Sequence, residues 1–306
     1  MAHSIVSERF RSVLVPVDLT PLSDRVLGRV ALLPLADDAR LTVQHVVPAG
    51  LPARDQRSAE RDARNALERE VRHLSRSLPR SVRIEAIAKN GAAFKEIAAV
   101  ASSVKAELIV MGRGGGRALR DVFLGSTAER VIRRGQLPVL VVRLPPRAAY
   151  CRPALALDLD QAAHEVLGLL LRLIQPPRPA VTVIHAFDAA HRGLVYPSLS
   201  RDEAEEREEE LQHDATQALA RLLATSLEQA QVLPRDAPRW QTRVRYGSPR
   251  SVIEKVVKKA ETDLLLLGTH GYSGVAHMFL GTVAGDVLRE VTCDVLVVPP
   301  RPAETS

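Results

Sequence analysis

One glycine pattern is written twice in this chain, and it constrains the fold more than any other feature. Gly112-x2-Gly115-x9-Gly125-Ser126 returns as Gly268-x2-Gly271-x9-Gly281-Thr282, every position displaced by 156 residues. Each copy follows a short apolar run, Leu108–Met111 or Leu264–Leu267, and each leads into a helix-like stretch and a further apolar run. A repeat of this length means two copies of a whole domain rather than a solenoid. Upstream the duplication continues at an offset of 140: Leu14–Asp18 matches Ala154–Asp158, and His45 matches His185. The 16 additional residues (156 − 140) therefore belong to the connection between the second and third strands of the second copy.

At 306 residues the length also fits about two domains of roughly 150 each. Residues 1–147 and 148–306 are read as these units, with the proline-rich stretch Leu144–Pro153 as linker. In the first half, strands are expected at Val13–Val17, Leu41–Val47, Val82–Ala88, Leu108–Met111 and Pro138–Val142. Helices fall between them at Ser23–Leu33, Ser58–Ser77, Ala93–Val104 and Ser126–Arg134. The second half repeats the order, with strands near Ala154–Leu157, Val181–Phe187, Thr242–Tyr246, Leu264–Leu267 and Val295–Val298, and a longer second helix, Arg201–Gln229. Strands that are nearly all apolar and alternate with helices predict a parallel sheet covered on both faces, the α/β class.

No apolar run reaches the roughly 18–20 residues of a membrane span, and Met1–Ser12 lacks the apolar centre of a signal peptide. Two cysteines, Cys151 and Cys293, make a disulfide scaffold or thiolate metal site a poor reading, so a reducing cytoplasm is expected. The net charge of +6 is shared unevenly: residues 1–150 carry 25 Lys+Arg and 15 Asp+Glu, the remainder 17 and 21. Aromatic residues are too few to interleave with these cations, which argues against single-stranded nucleic acid as a partner.

The glycines point to phosphate. Backbone N–H groups can approach a ligand where no Cβ intervenes, and a following helix N-terminus favours an anion. Ser126 and Thr282 add a hydroxyl at that terminus, able to cap the helix or to bond a phosphate oxygen. A dinucleotide fingerprint would follow the first strand, and a P-loop would place Lys after its last glycine; neither copy does so. Asp18 and Asp158 at the first strand ends are nucleotide contacts or caps of the following helix, and His45 and His185 read as packed strand-end residues.

With the block Val13-Leu14-Val15-Pro16-Val17-Asp18, the strand ending His45-Val46 and the closing Pro138-Val139-Leu140-Val141-Val142, each half resembles a universal stress protein domain. The whole chain is similar to a tandem, ATP-binding member of that family. The resemblance implies five-stranded sheets of order 3-2-1-4-5, with ATP, alone or with magnesium, across the carboxyl ends of strands one and four. It implies that Asp18, Val46, Met111 and Gly112 meet the adenosine, while Gly115, Gly125 and Ser126 hold ribose and phosphates. The matching set is Asp158, Ala186, Leu267, Gly268, Gly271, Gly281 and Thr282. Thr20 stands where the family usually has Ser, and Asp160 puts a negative charge beside the second site. Arg113, Arg117 and Arg120 in the first loop, against His270 and His277 in the second, predict tighter binding by the first half. The resemblance further implies an intramolecular pseudo-dimer through Pro138–Val142 and Asp294–Val298, with association of two chains and an unidentified protein partner beyond it. The function implied is a nucleotide-dependent stress-response regulator without a dedicated strong catalytic activity. A nucleotide-independent scaffold or chaperone-like protein, and a weak ATPase or self-phosphorylating enzyme, are the alternatives.

Overall fold

The computed structural model describes residues 9–50, 52–114, 124–159, 162–187, 201–269 and 281–300. The first half runs β1 (Phe10–Pro16), α1 (Ser23–Val30), β2 (Leu35–Pro48), α2 (Ala53–Ser75), β3 (Arg83–Gly91), α3 (Ala93–Ser103), β4 (Leu108–Gly112), α4 (Ser126–Arg134) and β5 (Val139–Val142). The second half repeats this as β6 (Pro153–Ala156), α5 (Ala162–Leu173), β7 (Val181–Phe187), α6 (Arg201–Gln229), β8 (Trp240–Tyr246), α7 (Pro249–Lys259), β9 (Leu264–Gly268), α8 (Thr282–Glu290) and β10 (Asp294–Val298).

Among the described residues these strands form one sheet, ordered β3-β2-β1-β4-β5-β10-β9-β6-β7-β8. Each half is parallel within itself and has the order 3-2-1-4-5. At the centre β5 and β10 pair antiparallel, with Leu140 opposite Leu296 and Val141 opposite Val295. The pairing removes the exposed edge that each apolar fifth strand would otherwise present.

Strand alternation sorts the apolar side chains into two layers, each continuous across both halves. Val13, Val15 and Leu140 pack beneath α1, α2, α5 and α6 through Val26, Leu67, Leu170 and Leu219. Leu14, Met111 and Val141 pack on the other face against α3, α4, α7 and α8 through Ile97, Val131, Ile253 and Val287. Each such aliphatic side chain removed from water contributes about 1.5–3 kcal/mol.

Many element ends shift by a few residues, and two regions depart further from the expectation. β2 begins at Leu35, six residues ahead of Leu41. In this early part Asp37 faces Arg9 at 3.8 Å and Asp38 faces Arg11 of β1 at 3.2 Å. The proline-rich linker, moreover, is packed into a seam. Tyr150 is buried, with the Arg29 guanidinium 4.0 Å above its ring, and Arg29 Nη1 donates to Ala148 O at 2.9 Å. Downstream, Asp263 accepts from the backbone N–H groups of Cys151 at 2.8 Å and Arg152 at 3.0 Å. The first half has the equivalent bond, Arg11 N–H to Glu107 at 3.2 Å.

Asp294, fully buried at the start of β10, ties the seam together. Its Oδ1 accepts from Arg143 N at 2.7 Å and Leu144 N at 2.8 Å, and its Oδ2 from Tyr150 Oη at 2.7 Å. Arg29 Nε stands 3.2 Å from Oδ2, an ion pair whose N–H is not aligned as a hydrogen bond. The Arg143 guanidinium donates to the carbonyls of Leu288 and Val291, satisfying the C-terminal end of α8 from the first half.

Burial pushes the neighbouring Cys293 thiol from 9.0 up to about 12. Burial first, then the Asp294 charge, raises the Tyr150 hydroxyl well above 10.0. In both cases the fold favours the neutral form. The stability they contribute is whole below the unfolded-state values and is lost as pH climbs through the folded ones. The urea midpoint is therefore expected to hold between about pH 7 and 8.5 and to fall steeply between about 9.5 and 12. Cys293→Ala should flatten part of that fall, and an unchanged wild-type midpoint up to pH 12 would contradict this account.

Candidate nucleotide site

The carboxyl end of β1 turns sharply after Asp18. Leu19 adopts a left-handed φ of 57°, uncommon for a side chain of its kind. The turn is held by Asp18 Oδ1, which accepts from Thr20 N at 3.1 Å, Thr20 Oγ1 at 2.8 Å and Ser23 Oγ at 3.0 Å. Asp18 thus organises the approach to α1 without being its N-cap, which is Leu22.

His45 Nδ1 lies 2.9 Å from Val17 O, and His185 Nδ1 lies 3.0 Å from Leu157 O. A carbonyl only accepts, so Nδ1 carries the hydrogen in both rings. The two histidines staple β2 to β1 and β7 to β6, the packed role expected for them.

Between the ends of β1, β2 and β4 lies a cavity of about 230 Å³, far larger than the ~10–15 Å³ that holds one water. Pro16, Val17, Val46, Ile97 and Met111 supply apolar wall; Asp18, Gln44 and His45 add polar groups. Among the described residues Arg25, Arg113 and Arg143 bring three guanidinium-bearing residues to the lining, against one carboxylate, that of Asp18. The expected residues Asp18, Val46, Met111 and Gly112 meet here. Thr127, one position beyond Ser126, lines the cavity at the start of α4.

The glycines have a more specific use than open N–H groups. Gly125 N–H donates to Arg113 O at 2.6 Å, and Gly281 N–H donates to Thr269 O at 2.9 Å. Each bond closes the neck of a loop, so these two N–H groups are already engaged. Neither glycine needs unusual dihedrals: φ and ψ are −69° and 151° at Gly125, and −54° and 152° at Gly281. Space is the reason for them. A Cβ at Gly125 would stand 2.9 Å from Arg113 O, and one at Gly281 2.9 Å from Thr269 O. Both glycines are the N-caps of their helices, without a side-chain capping bond. Ser126 and Thr282 are exposed at the first helical position and do not cap.

In the second half Asp158 is half-buried and its Oδ1 accepts from Leu159 N at 3.0 Å. Ala186 and Gly268 are half-buried at strand ends, and Leu267 is buried. Gly115, Gly271, Asp160, Arg117, Arg120, His270 and His277 lie outside the described residues. Sequence reasoning missed Arg25, Gln44, Thr127 and Arg143. The legible signal was Gln44, a carboxamide within Leu41–Val47, a stretch whose other polar residues are Thr42 and His45.

A family model described as the universal stress protein family matches residues 9–143 and again 154–299. The chain belongs to this family. It carries two such domains in tandem. A universal stress protein of Mycolicibacterium smegmatis is 28% identical over 314 residues, covering 94% of this chain and 97% of that protein. Universal stress protein Sll1388 of Synechocystis is 29% identical over 157 residues, 49% of this chain and 97% of its own length, as one domain against two would be. Among solved structures, a universal stress protein from Archaeoglobus fulgidus superposes with a TM-score of 0.66 at 17% identity, covering 94% of this chain and 98% of that one. At that identity the likeness speaks for the fold alone. Among the described residues no helix is long and apolar enough to cross a membrane.

Proposed function

We propose that this universal stress protein binds ATP, principally in its first half, and acts as a nucleotide-dependent regulator without strong catalysis of its own. The observation that carries the reading is the cavity at the carboxyl ends of β1 and β4, where open α/β sheets hold ligands. Its apolar wall suits a base, while Arg25, Arg113 and the N-terminus of α4 suit phosphates. Asp18, Val46, Met111, Gly112, Gly115, Gly125 and Ser126 form the proposed contact set. Magnesium, when present, would take most of its ligands from phosphate and water.

The second set, Asp158, Ala186, Leu267, Gly268, Gly271, Gly281 and Thr282, forms the weaker site. At the repeat offsets Arg25 becomes Glu165, Arg113 becomes Thr269 and Arg143 becomes Pro299. The first two replacements cost the second half cationic positions at the place where phosphate would sit. The units are residues 1–147 and 148–306, self-partnered through the β5–β10 pairing, in a reducing cytoplasm; further association of two chains and a protein partner complete the reading.

Denaturing the purified chain and quantifying released nucleotide tests this directly. About one mole of adenine nucleotide per mole of chain is expected, and Arg25→Glu should lower ATP affinity by roughly tenfold in calorimetry. No nucleotide, even after incubation with ATP and magnesium, would leave the scaffold reading in its place.

A further inference from the structure

We propose that the Gln44 carboxamide reads the base: it selects purines that carry an exocyclic amino group beside a ring nitrogen. This rests on the nucleotide reading above and adds a specificity-determining residue to it. Alternation along β2 sends Leu41 and Val43 into one apolar layer and Gln44 to the opposite face. Gln44 is fully buried, yet it lines the cavity together with Ala93, Ile97, Met111 and Ala128. Among the described residues neither Oε1 nor Nε2 has a hydrogen-bond partner.

A buried amide with both ends unpaired destabilises the empty protein. On a residue that lines the cavity, the same group is a preformed pair, one acceptor and one donor side by side. That pair complements an amino group and the adjacent ring nitrogen of adenine, the geometry by which carboxamides bond adenine bidentately. The apolar residues around it would hold the ring while the amide fixes its orientation. At the offset of 140 the second half has Ile184, buried and without any polar group, so base reading belongs to the first half.

The amide therefore has opposite effects on the empty and the filled protein, which separates this role from a structural one. The test uses nucleotide-free full-length protein, titrated calorimetrically with ATP and with purine riboside 5′-triphosphate, which lacks the amino group. Wild type should favour ATP by about tenfold or more. Gln44→Leu and Gln44→Met should bind the two within about twofold of each other, with melting temperatures of the empty protein no lower than wild type. ATP preference retained in both variants would overturn the assignment and leave ATP binding standing. So would melting temperatures lowered by several degrees, or failure of both variants to fold, since the amide would then be structural. Wild type that binds neither nucleotide would overturn the nucleotide reading and this assignment together.

Discussion

Asp294→Ala is expected to lower the stability of the chain by about 3–5 kcal/mol, the cost of removing one partner from a buried charge pair. The loss goes beyond one ion pair. Arg29, 4% exposed, would keep its guanidinium in the interior opposite no carboxylate. Arg143 N, Leu144 N and Tyr150 Oη would each lose their acceptor. All four groups belong to the first half or the connector, whereas Asp294 opens β10, so the damage falls on the seam between the halves. Thermal or urea denaturation of the purified variant measures it. Asp294→Ala combined with Arg29→Met should recover part of the loss, because the orphaned charge is then gone as well. A loss below about 1 kcal/mol would mean that the apolar pairing of β5 with β10 holds the seam by itself.

The repeat makes the sheet legible in the sequence. A sheet buried on both faces demands near-continuous apolar strands, and Leu108–Met111 and Leu264–Leu267 have no other good interpretation. The seam was not legible. Asp294 and Tyr150 are separated by 144 residues, and Arg143 reaches carbonyls 145 and 148 residues away. No local pattern announces such a pair, and Asp294 corresponds to Pro138 in the first half, so the duplication gave no hint either. Tyr150 read as part of the linker because prolines flank it; the Arg29 guanidinium that covers its ring sits on α1.

The place of the candidate site was legible in the sequence, and the local use of its glycines was not. Strand ends plus glycines gave its location, since topology places those groups together. The work of Gly125 depended on a distance, the 2.6 Å from its N–H to Arg113 O, and spacing alone could not distinguish a closed neck from an open anion cradle. The seam and the site also touch. Arg143 lines the cavity, its backbone N–H bonds Asp294, and its guanidinium holds the C-terminal end of α8, the helix that begins at Thr282. One residue thus joins the first cavity to the helix on which the second phosphate site is proposed.

Gly125→Ala is expected to weaken ATP binding by roughly a hundredfold, at the upper end of the ~1–3 kcal/mol that an inserted methyl costs in a tight site. The backbone at Gly125 is extended and would accept any residue, so the effect comes from the Cβ alone. That Cβ would meet Arg113 O at 2.9 Å, Gly114 C at 3.0 Å and Gly114 Cα at 3.1 Å, all backbone atoms that cannot rotate aside. Relief requires the neck to open, which lengthens the Gly125–Arg113 bond and displaces the start of α4 together with Thr127 on the cavity wall. Ser126→Ala removes one hydroxyl of the proposed contact set and should weaken ATP binding by about tenfold, less than Gly125→Ala does. Gly281→Ala meets, among the described residues, Thr269 in the equivalent neck and should leave binding by the first half intact, because its clash lies in the other loop. Calorimetric titration of the three variants with ATP and magnesium separates these expectations. Equal affinities for Gly125→Ala and wild type would show that the neck can open without moving the site, and that the repeated glycines serve folding instead of the ligand.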